Sequence, residues 1–176
     1  MTLSERWSWT RGDTEFKSPR MVLGMLRTAA NGNGNLLLNV APRPDGSIPA
    51  VAQKTLREVG GWIARNGESI RPGPMLNPAM EWTCCAFFTA RRNRTYLHMG
   101  SWPAGTFVLP GLSGRVTRAH FLHDGTPVRF EQRGHRLELS GLPSRPPDPL
   151  MPVIVLEHRG TLSGKWTAGT RLTREP

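Results

Sequence analysis

Few side chains in this 176-residue sequence are arranged as a catalytic or metal site requires. His120 and His123 are three residues apart, but on a strand that spacing directs them to opposite faces, so a metal site is not expected. Cys84 and Cys85 are adjacent, which would strain a disulfide between them, and they lack the spacing of metal ligands. Neither a Ser/His/Asp arrangement nor a phosphate-binding loop is present. The sequence therefore predicts no metal and no cofactor.

Acidic and aromatic side chains share a polar segment, residues 4–17, that is expected to form a loop. Its three carboxyl groups belong to Glu5, Asp13 and Glu15. Nothing in the loop predicts a raised carboxyl pKa or a fixed separation between two carboxyl groups, so no acid–base pair is expected there. Trp7 and Trp9 lie in the same loop. Such rings either pack over the rim of a core or lie against the apolar face of a sugar.

The chain is strongly basic, with 23 Lys and Arg residues against 13 Asp and Glu residues and a formal charge of +10. A charge of this size is compatible with a nucleic acid or another anionic polymer as a partner. The cations are dispersed, however, and the sequence carries no nucleic-acid-binding motif. The densest cluster, residues 91–94, is expected to be a solvated hairpin tip. We therefore expect no nucleic-acid partner, and the lack of a long apolar run predicts no membrane partner.

The first part of the chain predicts two helices separated by a strand. The first helix is expected to begin after Ser18, its N-cap, and to stop near residue 31. The strand, residues 35–40, contains an apolar run without alternation, which is typical of a strand covered on both faces. Apolar positions at steps of three and four residues predict the second helix over residues 49–65. Gly67 is expected to end that helix in a left-handed conformation.

The second part of the chain changes to short segments broken by turns, after a Pro-rich linker at residues 72–80. Seven strands are predicted, over residues 81–89, 94–100, 106–109, 115–122, 127–131, 135–139 and 152–158. Strands of this number and spacing indicate an antiparallel sandwich at residues 81–159, followed by a polar tail at residues 160–176. The fold class is therefore α+β overall.

Two groups of residues resemble a known family in their order and spacing. In the first part they are Met1, Thr2, Trp7, Gly34, Asn35, Asn39, Pro42, Asp45, Gly46, Pro49, Trp62 and Glu68. In the second part they are Phe88, Tyr96, His98, Trp102, Leu109, Pro110, Phe130, Pro147, Asp148 and Val153. This pattern resembles α-L-fucosidases of glycoside hydrolase family 29 over residues 1–157. The resemblance implies the end of a (β/α)8 catalytic barrel, residues 1–71, followed by the family's C-terminal β-sandwich.

The resemblance also assigns candidate substrate-binding residues. Trp7 matches the aromatic residue that lies against the apolar side of fucose in the family. Trp9 stands where the family usually has Tyr, so its contact with sugar is less well supported. Asn39 lies at the carboxyl end of the predicted strand, where barrel enzymes keep their sites. Its amide either contacts substrate or ties down a loop.

The resemblance implies retaining hydrolysis of α-L-fucosides from fucosylated glycans, but not a complete site. The family's Asp nucleophile and Glu acid/base lie upstream of the segment that residues 1–7 match, so no catalytic residue is assigned here. A whole barrel takes about 250 residues. We therefore expect a chain that is inactive alone and that self-associates or binds an upstream barrel fragment through an unpaired apolar edge. Family members are typically lysosomal, secreted or periplasmic.

Two other functions are compatible with the residues. A non-catalytic β-sandwich accessory or carbohydrate-binding module would place its ligand after residue 78. A basic interaction protein would bind an anionic polymer through its arginines, with steep salt dependence.

Overall fold

The computed structural model describes residues 1–71, 86–103 and 105–164. Two helices precede the strands: α1 spans Pro19–Asn31 and α2 spans Ala50–Asn66, followed by a 3-10 helix at Gly67–Ser69. The strands are β1 Ala86–Arg91, β2 Arg94–Met99, β3 Gly105–Leu109, β4 Leu112–Phe121, β5 Arg129–Arg133, β6 Arg136–Leu142 and β7 Val153–Gly164. This order confirms the α+β class.

The strands form two antiparallel sheets that share one core. One sheet has the order β1-β2-β7-β4 and the other the order β3-β6-β5. Leu97 and Leu156 of the first sheet are fully buried in the same apolar cluster as Leu137 and Leu139 of the second. Side chains from two facing sheets interdigitate in this way in a β-sandwich, as the strand pattern predicted. Every one of the seven predicted strands has a counterpart.

The helices form a third layer on the outer face of the four-stranded sheet. Because successive strand residues point to opposite faces, Tyr96 and Val155 point away from the sandwich core. They join a second apolar cluster with Val22 of α1 and with Val59 and Trp62 of α2. The apolar stripes of both helices therefore bury against the sandwich as well as against each other.

The ends of the helices differ in part from expectation. Ser18 caps α1 as predicted, and its hydroxyl accepts a hydrogen bond from the Met21 amide at 3.3 Å. The left-handed residue after α1 is Asn33, with φ 52°. The left-handed end predicted for α2 is wrong, because Gly67 has φ −61° and ψ −21° and the chain continues as a 3-10 turn. That turn carries the Ser69 carbonyl to the hydroxyl of Thr89 on β1, which donates to it at 2.6 Å.

The predicted strand at residues 35–40 is present only as a single parallel bridge between Thr2 and Asn39. The Leu3 amide donates to the Asn39 carbonyl at 2.9 Å, and the Asn39 amide donates to the Met1 carbonyl at 2.9 Å. The expectation of cover on both faces is wrong, since Leu37 is 82% exposed. Residues 1–3 pair with one side of this segment, and no described segment pairs with its other side. The segment therefore does not become part of a sheet.

The boundaries of the sandwich are partly outside the described residues. Those are the linker at 72–80, the start of the first predicted strand with both cysteines, and the tail from residue 165. At the C-terminal side, β7 continues to Gly164, so the sheet extends past residue 159. No helix in the part of the chain that the structure describes is long and apolar enough to cross a membrane.

Candidate functional site

The loop at residues 4–17 leaves and re-enters the fold at one place. Ser4 and Phe16 form an antiparallel bridge, and the Lys17 amide donates to the Leu3 carbonyl at 2.8 Å. The Ser4 hydroxyl donates to the Arg6 carbonyl at 3.2 Å. These contacts fix the base of the loop, whereas the side chain of Trp7 is 70% exposed. Trp7 therefore presents an open indole face to solvent.

Asn39 holds this loop against the end of the bridged segment. Its side-chain amide donates to the Trp7 carbonyl, and its side-chain oxygen accepts from the Ala41 amide at 3.4 Å. Ala41 is buried and has φ 46°, a left-handed conformation that costs an L-residue about 1–3 kcal/mol. The nitrogen and the oxygen of the Asn39 side-chain amide thus both bond within the protein, as expected for a residue that holds a loop in place. A direct contact of Asn39 with a ligand stays a prediction.

A cleft of ≈280 Å³ separates this loop from the loop that follows Ala41. Trp9, Asp13 and Phe16 line one side and Arg43 the other, and all four are half-buried. One Asp13 oxygen accepts from the Glu15 amide at 3.3 Å, and Arg43 donates to the Ser47 hydroxyl at 3.2 Å. The indole N–H of Trp9 donates to no described residue. The cleft thus combines an aromatic face with one carboxylate and one guanidinium.

No acid–base pair of carboxyl groups stands out among the described residues. The pKa of Glu68 is lowered, mainly by the hydrogen bond from the Tyr96 hydroxyl and further by Arg94. The pKa of Asp45 is lowered by hydrogen bonds from Ser47, and that of Asp124 is also lowered. A general acid at neutral pH needs a raised pKa, so these shifts have the opposite sign.

The environment of His98 indicates a role in the core rather than in a reaction. His98 is fully buried, and burial is the main cause that lowers its pKa to about 3. Its Nε2 lies 2.9 Å from the Thr89 hydroxyl, which donates onward to the Ser69 carbonyl. Nε2 must therefore carry the proton, and the ring is neutral. No group of three potential metal ligands occurs within residues 1–71, 86–103 and 105–164.

Sequence reasoning missed a polar cluster that joins the helical layer to the sandwich. The Glu68 carboxylate accepts from the Tyr96 hydroxyl and from Arg94 at 2.8 Å. Arg94 also lies 3.5 Å from Glu157. Residues 91–93 are exposed at the turn between β1 and β2, as expected, and Arg94 remains 41% exposed while its guanidinium also pairs with Glu68. The one available signal was Tyr96, the single tyrosine of the chain.

Comparison with known proteins points to a single family. The family model described as Alpha-L-fucosidase matches residues 1–68. Human plasma alpha-L-fucosidase is 33% identical over 66 residues, which are 36% of this chain and 14% of that protein. The Branchiostoma floridae alpha-L-fucosidase is 27% identical over 109 residues, which are 58% of this chain and 24% of that protein.

Solved structures extend this similarity to the sandwich. The alpha-L-fucosidase isoenzyme 1 from Paenibacillus thiaminolyticus superposes with a TM-score of 0.80 at 32% identity, over 91% of this chain and 39% of that one. The alpha-L-fucosidase from Vibrio sp. strain EJY3 has a TM-score of 0.76 at 25% identity, over 93% of this chain and 30% of that one. The chain thus spans well under half the length of these relatives.

Proposed function

We propose that the chain, which resembles α-L-fucosidases in sequence over residues 1–68 and in fold over 91% of its length, forms one side of a retaining α-L-fucosidase site. In this proposal it supplies the sugar-contacting rim at Trp7. The two catalytic carboxylates come from barrel strands that residues 1–71 do not contain. The observation that carries the proposal is the exposed indole of Trp7, a residue whose main-chain carbonyl accepts a hydrogen bond from Asn39 at the end of the bridged segment.

The distribution of carboxyl groups supports a site that is incomplete in this chain. Retaining glycosidases need two carboxyl groups about 5–5.5 Å apart, one of them able to donate a proton. Five described carboxylates are instead paired with arginines: Glu68 and Glu157 with Arg94, Asp148 with Arg65, Glu131 with Arg133 and Glu138 with Arg136. For Glu68, the hydrogen bond from Tyr96 and the contact with Arg94 lower the pKa, which suits a structural role rather than a proton donor.

The distribution of exposed apolar side chains supports a missing partner. The large apolar side chains that are exposed among the described residues are Met1, Trp7, Met21, Leu37 and Val51, all within the first 51 positions. Met1, Met21 and Leu36 also line a shallow groove of ≈570 Å³ beside α1. Polypeptide that adds strands beside residues 36–38 and a helix over this groove would bury Met1, Met21 and Leu37. In the proposal this polypeptide is the remainder of the fucosidase barrel.

A carbohydrate-binding role for the sandwich alone has less support. Within residues 86–103 and 105–164 no large apolar side chain is exposed. Trp102, the described tryptophan of the sandwich, packs near Phe121 with ring centroids 6.1 Å apart and donates its N–H to the Pro143 carbonyl at 2.8 Å. It therefore offers no open ring for a sugar.

The test is complementation followed by mutation of the rim. The purified chain is assayed with an aryl α-L-fucoside, alone and after co-expression with the upstream barrel part of the Paenibacillus enzyme. We expect turnover only in the complex. Trp7→Ala should then raise KM about tenfold, because the ring covers apolar sugar surface that water would otherwise contact.

Trp7→Phe, which keeps an aromatic face, is the matched control and should recover most of the affinity. Turnover by the chain alone would refute the incomplete site. Unchanged kinetics in Trp7→Ala would remove Trp7 from the site while leaving the family role of the complex intact.

A further inference from the structure

A row of charged residues crosses the four-stranded sheet two positions from Tyr96, beyond the apolar cluster that the helices cover. Its members lie directly opposite one another on β1, β2, β7 and β4, and they are Arg91, Arg94, Glu157 and Arg118. Side chains of directly opposite residues share a face, so this row lies on the outer face of the sheet, as Tyr96 does. Arg94 and Arg118 lie 3.5 Å and 3.8 Å from Glu157. Arg91 is exposed and forms no ion pair with a described carboxylate.

A second pair of arginines extends this row along the sheet. Arg159 follows Glu157 by two positions on β7 and therefore points to the same face. Arg115 of β4 lies directly opposite Arg159. Both residues are exposed, and neither forms an ion pair with a described carboxylate. Because like charges directly opposite each other on a sheet are destabilising, this pair does not serve the stability of the sandwich.

The three-stranded sheet carries a matched pair of arginines for comparison. Arg133 and Arg136 lie directly opposite each other on β5 and β6. Each has a carboxylate on its own strand, since Arg133 lies 2.6 Å from Glu131 and Arg136 lies 3.5 Å from Glu138. The positive charge of this pair is therefore neutralised within the protein, whereas that of Arg115 and Arg159 is not.

The two rows on the four-stranded sheet together form a basic face, whose arginines are Arg91, Arg94, Arg115, Arg118 and Arg159. Only two carboxylates pair with these five arginines among the described residues, Glu157 and Glu68, which leaves a net charge of +3. The cations that are dispersed along the sequence are thus gathered in space, because β1, β2, β7 and β4 bring them side by side.

A cleft of ≈280 Å³ opens at one end of the basic face, between the two helices and β1. Arg91 and Arg71 line it together with Asn33 and Asn35, and all four residues are exposed. The side-chain amides of Asn33 and Asn35 form no hydrogen bond with a described residue. Amide and guanidinium groups bind hydroxyl and anionic oxygens. The volume lies near the lower end of small-molecule pockets, about 300–1,000 Å³, and suits one sugar ring.

From this arrangement we infer that the basic face binds an acidic polysaccharide through the sulfate or carboxylate groups that its sugar units carry. Neighbouring strands lie about 4.8 Å apart, so the row presents guanidinium groups over about 14 Å, as a ligand with repeated charges requires. Guanidinium groups bind such oxyanions through two parallel hydrogen bonds. This binding goes beyond the proposed fucosidase role and does not involve Trp7.

A nucleic acid fits the basic face less well. Within residues 86–103 and 105–164 no large apolar side chain is exposed, so the face offers no ring on which bases could stack. A face of four strands is also wider than the major groove of B-DNA, which measures about 12 Å and admits a helix or a two-stranded ribbon.

The experiment measures binding of a fluorescently labelled heparin octasaccharide to the full chain by fluorescence anisotropy. We expect saturable binding whose dissociation constant rises at least about tenfold between about 50 mM and about 200 mM salt, as counterion release requires. Arg115→Gln/Arg159→Gln should weaken binding at least about tenfold without lowering the free energy of unfolding, because it removes a like-charge pair. Arg91→Gln, at the other end of the face, should weaken binding about threefold.

Arg133→Gln/Arg136→Gln is the matched control, because it removes the same charge from a cross-strand pair on the other sheet. It should change the affinity by less than about twofold, since salt screens charges beyond about 10 Å. Equal weakening in the two double variants would mean attraction by net charge alone and would overturn the basic face as a site.

The choice of anion tests the class of ligand. A polygalacturonate octasaccharide carries carboxylates without sulfates, so weaker binding than heparin identifies sulfate as the recognised group, and equal binding identifies either anion. Both results support the inference. Tighter binding of a labelled DNA duplex of equal charge, or no saturable binding of either octasaccharide, would overturn it. None of these outcomes depends on fucoside turnover, so the proposed function is tested separately.

Discussion

The two sides of the N-terminal layer differ sharply in how their apolar groups are covered. Toward the sandwich, Trp62 is fully buried and its N–H donates to the Met151 carbonyl at 2.7 Å. Beside it, Arg65 lies 3.1 Å from the buried carboxylate of Asp148. On the other side, Leu37 is 82% exposed and Trp7 is 70% exposed. Both sides carry large apolar groups, but only the first has its partner within the described residues.

This difference separates what stabilises the layer from what the layer offers to a partner. Burial of apolar area contributes about 25 cal/mol per Å², so stability is concentrated at the helix–sheet contact. The open side adds little to the stability of this chain. Its exposed leucine and tryptophan are instead the groups that a remaining barrel and a sugar would cover in the proposed enzyme.

The largest contrast is expected between two tryptophans. Trp62→Ala removes a fully buried side chain and its hydrogen bond and should lower the free energy of unfolding by about 3–5 kcal/mol. Trp7→Ala removes an exposed ring and should change it by less than about 0.5 kcal/mol. Urea unfolding followed by far-UV circular dichroism measures both. If both variants lowered the free energy of unfolding by similar amounts, the side that faces the sandwich would not contribute more stability than the open side.

A smaller effect is expected from pH, again confined to the covered side. Burial of His98 lowers its pKa from 6.5 to about 3, so the unfolded chain binds a proton at a higher pH than the folded chain does. The contribution of neutral His98 to the free energy of unfolding is complete above pH 6.5. It is lost progressively as the pH falls toward 3. Between pH 6.5 and pH 5 the loss should reach about 2 kcal/mol at most.

His98→Gln is the variant that isolates this effect. Burial also lowers the pKa of His120 and His158, so the wild-type slope contains their contributions as well. Unfolding free energies of wild type and His98→Gln are therefore compared at pH 7 and pH 5. If both proteins lose the same amount, His98 does not contribute to the acid sensitivity of the layer.

The smallest effect on stability is expected at the open edge. Leu37→Gln should change the unfolding free energy by less than about 0.5 kcal/mol, because the side chain is already solvated. The same variant should reduce self-association and weaken binding of the upstream barrel part, since it makes the uncovered face polar. Sedimentation velocity measures both. Val51→Gln is the control and should associate like wild type, because Val51 is exposed but lies in the cleft lined by Trp9, Asp13 and Arg43.

Secondary structure was predicted well where neighbouring residues decide it. The N-cap at Ser18 and the period-two pattern of β6 depend on contacts within a few residues or on one buried face. The predictions for Gly67 and for residues 36–38 were wrong for a common reason. A glycine permits a left-handed cap without requiring it, and an apolar run becomes a strand only where a neighbouring segment pairs with it.

The candidate site was predictable only in its residue types. The sequence and its resemblance to the family pointed to Trp7, Trp9 and Asn39. They did not show that Asn39 bonds to the Trp7 backbone, or that Asp13 and Arg43 lie on opposite walls of one cleft. Those residues are about thirty positions apart, and their approach depends on how both loops are anchored. Contacts across such distances leave no local pattern.

The sequence by itself indicated the resemblance to α-L-fucosidases, the two helices and the seven strands of the sandwich, because periodicity and turn chemistry are local properties. Tertiary structure alone decided that Tyr96 and Arg94 converge on Glu68, that the helices pack on the outer face of the sandwich, and that Leu37 is left open. These outcomes depend on which surfaces meet. The physical reason is that a side chain is buried or hydrogen-bonded by whichever group lies close to it in space. Such a group can be far away in the chain, so the neighbouring residues do not identify it.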